Sequence, residues 1–148
     1  MKTKPDFALR HRVQFSETDA AGVVHFSNYF RWMEEVEHAW FRARGLSVAM
    51  THDGVEIGWP RVSAACEYLL PARFEDEVEL QLRVVKVGSK SFNFEVTFAV
   101  NGQDIAVGKI SSVCCTIGNG KMKAIPIPPE LRAKLEHPAA VPRTTGEG

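Results

Sequence analysis

From residue 62 onward the apolar side chains recur with period two, the spacing of strands that bury one face and wet the other, and this limits the second half of the chain to a sheet. Val62, Ala64, Cys66, Tyr68 and Leu70 share one face, and Val78, Leu80, Leu82 and Val84 share another, opposite Glu77, Glu79, Gln81 and Arg83. Phe92, Phe94, Val96, Phe98 and Val100 continue the pattern, followed by Ile105, Val107, Val113, Cys115 and Ile117 on one parity. Lys109 and Ser111 interrupt that last stripe, which marks a bulge or a wetter edge. Asn101-Gly102 suits a two-residue hairpin turn, and Gly88-Ser89 suits the other primed type, so the last three runs read as an antiparallel meander. A further strand is expected at the start, with Phe7, Leu9, Val13 and Phe15 on one face.

Between that strand and the meander the period changes. Tyr29, Trp32, Met33, Val36, Trp40 and Ala43 follow the spacing of one helix face, with Ser27 placed as N-cap and Gly45 as C-terminal stop. Such a helix has about 17 residues and spans about 25 Å. One long helix against one antiparallel sheet is an α+β arrangement. Residues 46–60 read as a loop with room for a short helix, and Pro126, Pro128 and Pro129 end the sheet. Glu130–Glu136 can make two helical turns, which leaves one domain over residues 1–137 and a flexible tail over 138–148.

With 18 basic and 18 acidic residues in 148, the formal net charge is zero, which argues against a general nucleic-acid binder. No apolar run approaches the roughly 20 residues of a membrane span, and the first residues lead into no apolar signal, so a cytoplasmic protein is expected. Cys66, Cys114 and Cys115 lack metal-ligand spacing and read as small buried hydrophobes; no metal site and no cofactor are expected.

The segment Asp19-Ala20-Ala21-Gly22-Val23-Val24-His25-Phe26-Ser27-Asn28-Tyr29 joins the first strand to the helix and carries the chemistry. Asp19 precedes a small-residue turn, and Gly22 permits a backbone conformation or close approach that a side chain would obstruct. A helix start offers unpaired N–H groups where a developing oxyanion is stabilised. A carboxylate beside an oxyanion donor supplies two of the parts that acyl transfer needs, although Asp alone at such a place is equally explained by an Asx turn.

The pattern Asp-x-x-Gly-Val-Val with an aromatic after it, then Asn28-Tyr29 and Arg31-Trp32, resembles the hotdog-fold acyl-CoA thioesterases of the 4-hydroxybenzoyl-CoA thioesterase type. The likeness runs from about Phe7 to Ile117 and includes Tyr68, Pro71, Asp76 and Lys90-Ser91-Phe92. It implies a five- to six-stranded antiparallel sheet wrapped around the helix, dimers joined through edge strands that often pair into tetramers, and active sites at subunit interfaces. It implies hydrolysis of an acyl- or aryl-CoA thioester, coenzyme A being part of the substrate. Asp19 matches the catalytic carboxylate, as nucleophile or general base, and Phe26 the residue whose main-chain N–H polarises the thioester carbonyl. The side chains of Phe26 and Tyr29 are then acyl-pocket candidates, and Glu34 occupies a helical position where relatives have an acid at the acyl site. His25 departs from the family's Tyr or Trp and is a candidate contact to the acyl group or a phosphate. Lys86, Lys90 and Ser91 are candidates for binding coenzyme A, the lysines through its phosphates.

Two other readings stay open on the sequence: an acyl-thioester dehydratase using His25 with Glu34 or Glu35, and a non-catalytic acyl-CoA-binding module.

Overall fold

The computed structural model describes residues 2–136, so the tail assigned to 138–148 lies outside the described residues. Strands β1 (Phe7–Arg12), β4 (Arg61–Tyr68), β5 (Glu77–Val87), β6 (Ser91–Val100) and β7 (Gln103–Val113) form one antiparallel sheet in the order β1-β5-β6-β7-β4. Helix α1 (Asn28–Ala43) lies across its concave face and buries Tyr29, Trp32, Met33, Val36, Glu37, Trp40 and Phe41. The core between them is the expected one: Val78, Leu80, Leu82, Phe92, Phe94, Val96 and Phe98 are all sealed from solvent. Close approach of helix to sheet depends on Gly108, where a Cβ would overlap the Met33 thioether.

Asn101 (φ 50°) and Gly102 (φ 79°) turn the β6–β7 hairpin in the left-handed region, as their identities demand. The β5–β6 turn differs from expectation. Gly88 is not left-handed there; its N–H donates to the Ser91 carbonyl (2.8 Å), and Ser91 Oγ fills the space that a Cβ would need.

Three further expectations are corrected. In β7 the inward residues are Ala106, Gly108, Ile110 and Ser112, not the odd-numbered stripe, because Ile105 is a bulge residue left out of the pairing with β6. Its carbonyl instead accepts the N–H groups of Leu69 (2.8 Å) and Leu70 (3.1 Å). Phe15, expected on the inner face of the first strand, is 75% exposed, because the chain leaves β1 for a single 3-10 turn at Phe15–Glu17. And residues 46–60 are not a plain loop: β2 (Met50–His52) and β3 (Val55–Gly58) form a hairpin that joins β8 (Cys115–Gly118) and β9 (Lys121–Ala124) in a second, four-stranded sheet of order β2-β3-β8-β9. Helix α2 (Pro129–Glu136) follows the prolines as expected, and its Arg132 bonds the carbonyls of Val87 and Gly88.

Although β4 alternates apolar residues, it is an exposed edge, with Val62 64% and Tyr68 44% accessible. Cys114 and Cys115 are buried and Cys66 is half-buried; burial raises the thiols of Cys66 and Cys114, the latter to about 11, so neither is a ready nucleophile. Among the described residues no helix is long and apolar enough to cross a membrane.

Candidate active site

After Val13 the chain makes the 3-10 turn and then a tight loop closed by an isolated bridge between Thr18 and Val24. Asp19 is exposed at its head. The Asp19 N–H donates to the Val23 carbonyl (2.9 Å), and Gly22, at φ 81°, returns its N–H to the Asp19 carbonyl (2.9 Å). The carboxylate is held by one oxygen only: Oδ1 accepts the N–H groups of Ala21 (2.9 Å) and Val23 (3.4 Å). This is an Asx turn, and it is compatible with chemistry, since Oδ2 accepts from no group among the described residues.

The loop runs straight into α1. Ser27 occupies the N-cap place, but its hydroxyl makes no cap bond; it donates to His25 Nδ1 (2.8 Å), which also faces the Ser27 N–H (3.3 Å). With two donors on Nδ1, the neutral imidazole carries its proton on Nε2, facing outward from a ring stacked on Phe26 at 4.6 Å. The Phe26 N–H, at the mouth of the helix, has no acceptor among the described residues, while its carbonyl accepts the Tyr68 hydroxyl (3.0 Å). A free carboxylate oxygen and a free main-chain donor at a helix start thus share one loop, the combination that attack on a carbonyl requires.

Tyr29 is placed differently from expectation. It is buried in the core against Trp32, Tyr68 and Phe98, at 5.0–5.2 Å between ring centroids, and so lines no open pocket in the protomer. Phe26, in contrast, is 61% exposed and available to a ligand. Glu34 is exposed and faces Arg61 (3.7 Å), and Glu35 bonds His11, so neither acid is paired with His25 and the dehydratase pair is not assembled within the protomer.

Lys86, Lys90 and Ser91 are remote. They cluster where β5 turns into β6, whereas the Asp19 loop leaves β1 beside the start of β5, with Val13 bonded to Asp76 and Glu75. The length of β5 separates them, on the order of 30 Å. At the far end lies a cleft of about 420 Å³ lined in part by Glu34, Glu37, His38, Trp59 and Arg61. Its floor is an ion pair missed in the sequence: Glu37, fully buried, binds Arg61 through both oxygens (2.5 and 2.9 Å), and Ser112 Oγ accepts from the same guanidinium (3.1 Å).

A model of the Thioesterase-like superfamily matches residues 13–135. The chain belongs to that superfamily. Among its relatives a protein of Aquifex aeolicus (strain VF5), provisionally named an esterase, is 39% identical over 81% of this chain and 91% of its own. The 1,4-dihydroxy-2-naphthoyl-CoA hydrolase of Prochlorococcus marinus (strain NATL2A) is 30% identical over 71% of this chain and 72% of its own. Among solved structures a gentisyl-coenzyme A thioesterase superposes with a TM-score of 0.75 at 34% identity, covering 84% of this thioesterase-like chain and 98% of its own. A 4-hydroxybenzoyl-CoA thioesterase superposes at 0.79 with 20% identity, a likeness of fold. The expected hotdog arrangement of sheet around helix is therefore the one this thioesterase has, enlarged by the second sheet.

The residues that sequence reasoning missed lie directly behind the Asp19–Phe26 loop. Glu17 accepts from Trp32 Nε1 (2.9 Å), His11 Nε2 (2.9 Å) and the Gln14 N–H (2.8 Å), while His11 Nδ1 faces Glu35 (3.1 Å). The signal was parity: His11 shares the inward face of β1 with Leu9 and Val13, where a polar residue needs a partner.

Proposed function

We propose that the protein hydrolyses an aryl-CoA thioester, with Asp19 as the catalytic carboxylate and the Phe26 main-chain N–H as oxyanion donor. The observation that carries this reading is the pairing of an untethered Asp19 Oδ2 with an unused Phe26 N–H on one loop. In the Asp19 reaction the carboxylate either attacks the thioester carbonyl, forming a mixed anhydride that water then opens, or takes a proton from the attacking water. In both routes negative charge gathers on the carbonyl oxygen facing the Phe26 N–H, and coenzyme A leaves as its thiolate. The aryl class is supported by relatives at 30% identity or more whose names specify 1,4-dihydroxy-2-naphthoyl and gentisyl thioesters.

The site is completed by a second copy. Every residue from Val62 to Ala65 on β4 is exposed, a bare edge that offers unpaired main-chain groups to another strand. In the sheet, Arg61 pairs with Ser112 at the end shared with Ser91, and Tyr68 pairs with Ala106 at the end shared with Phe26. Antiparallel joining of two β4 edges turns one end onto the other. It carries the Arg61 cleft, Glu34, Lys86 and Lys90 of one copy toward Asp19 and Phe26 of the other. The cleft then receives the acyl group, and the lysines meet the coenzyme A phosphates. Dimers, and tetramers built from them, are the expected assembly.

Thiol release measured over aryl, short-chain and long-chain acyl-CoAs tests the reading. Aryl thioesters should turn over fastest, and Asp19→Asn should lower kcat by roughly 10²–10⁴-fold with an unchanged melting temperature. No release from any thioester, or full activity in Asp19→Asn, would sink it.

A further inference from the structure

We propose that His11 and Glu17 form a positioning unit for the active-site loop, the doubly protonated His11 ring clamping Glu17 to Glu35 of α1 so that Asp19 and the Phe26 N–H keep one relative placement. The proposal rests on the reading of Asp19 and Phe26 given above.

Glu17 ties the two arms of the loop together. It stands two positions before Asp19, and its main-chain carbonyl accepts the His25 N–H (2.8 Å) and the Asn28 side-chain amide (2.8 Å), which fix the segment on either side of Phe26. Its carboxylate reaches the opposite way, to Trp32 Nε1 on α1, the Gln14 N–H and His11 on β1. Strand, 3-10 turn and helix therefore meet at a single side chain. Hydrogen bonds are directional, so a hub of this kind sets positions more sharply than apolar packing does.

His11 determines whether the hub is closed. Each ring nitrogen faces a carboxylate, Nε2 toward Glu17 and Nδ1 toward Glu35, and a neutral imidazole has only one N–H to serve them. The groups around it are few. The 3-10 turn contributes Glu17, α1 contributes Glu35 and the Trp32 ring at 4.9 Å, and β5 presents Val78. Arg10 and Arg12 are bonded to Glu77 instead (3.2 and 2.9 Å). Burial alone would lower the imidazole pKa, but the bonds to Glu35 and Glu17 outweigh it and hold it above the ordinary value. Glu17 moves the other way: burial opposes ionisation, and the Gln14, His11 and Trp32 donors prevail, keeping it below the ordinary carboxylate range. Loss of one His11 proton leaves one of the two acids without its imidazole donor and removes the His11 link between Glu17 and Glu35, while the Trp32 and Asn28 bonds to Glu17 remain. A displacement of about 1 Å between nucleophile and donor can cost roughly 10²-fold in rate.

The test compares wild type, His11→Gln and Glu17→Gln. Glu17→Gln keeps the shape of the side chain and one acceptor oxygen, for either Trp32 Nε1 or the Gln14 N–H, so it serves should His11→Gln fail to fold. Both variants should lower kcat by roughly 10-fold or more with KM nearly unchanged, and His11→Gln should lose the alkaline limb of the kcat profile that wild type shows. In amide-resolved NMR the backbone signals of residues 19–26 should follow the His11 titration in wild type and lose that component in His11→Gln. Wild-type kcat in both variants, or loop amides that ignore the His11 titration, overturns the proposal. The amide titration needs no turnover, so it decides the matter even where Asp19→Asn, assayed in parallel, shows the catalytic reading to be at fault.

Discussion

The two ends of α1 are built on different principles. At its C-terminal end Trp40, Phe41, Trp59, Phe92 and Phe94 form an aromatic cluster, Trp40 lying parallel to Phe92 at 5.6 Å. The indole N–H groups of Trp40 and Trp59 are buried there without a hydrogen-bond partner among the described residues. At the N-terminal end Trp32 is equally buried, yet its indole N–H is bonded to Glu17, which also holds His11 and the Gln14 N–H. One end accepts orphaned donors for the sake of area removed from water; the other spends its core positions on directional contacts. That division matches the chemistry proposed above, in which a carbonyl is met at a definite angle and distance at the Asp19 end.

Cutting each end should therefore fail in a different currency of measurement. Trp40→Ala removes a side chain that is 1% exposed and should lower unfolding free energy by about 3–5 kcal/mol, read by denaturant titration. The folded fraction should keep its KM. A large change in KM with little loss of stability would show that Trp40 shapes the acyl cleft beside Trp59 and does not serve the core alone.

A smaller effect is expected from pH at the polar end. The folded pKa of His11 is raised, so its stabilisation is complete below the ordinary imidazole value of 6.5 and is lost as pH climbs through the folded value. Glu17, lowered, contributes above 4.5 and loses its contribution as pH falls through its folded value. Wild type should thus be most stable between these limits and decline by about 1 kcal/mol on the alkaline side, as suits a part-buried hydrogen-bonded charge. His11→Gln should lack that alkaline step. An identical step in the variant would assign it elsewhere.

Where the sequence misled, the reason was geometric. Period two is a sound guide along an uninterrupted strand, as in β5 up to Val84 and in β6, but one bulge at Ile105 inverts every side chain after it. The apolar stripe of β4 reads as a buried face in the sequence, yet nothing among the described residues covers Val62 or Ala64. The second sheet was within reach. Asp53-Gly54 and Asn119-Gly120 are left-handed pairs like Asn101-Gly102, and each turns a short hairpin. For the proposed site, turn chemistry singles out Asp19 and Gly22 and the family resemblance adds Phe26, and all three lie on one loop. Glu17, His11 and Glu35 come from three elements and meet only after folding, and the Glu37–Arg61 pair bridges 24 positions of sequence.

The smallest expected effect tests how finely the polar end is set. Tyr68 stands on the exposed edge strand, yet its hydroxyl reaches across to the Phe26 carbonyl at 3.0 Å, on the residue whose N–H is the proposed oxyanion donor. Burial, with Cys66 beside it, holds the phenol pKa up at about 12, so it remains a donor throughout the working range. Tyr68→Phe deletes one hydrogen bond and keeps the ring against Tyr29. The stability change should be about 1 kcal/mol or less, because the Phe26 carbonyl is open to water. If the bond orients the Phe26 peptide, kcat should fall by roughly 3- to 10-fold while KM and the melting temperature barely move. An unchanged kcat would mean that the Tyr68 bond does not orient the Phe26 peptide and that the Glu17 side fixes the loop without it.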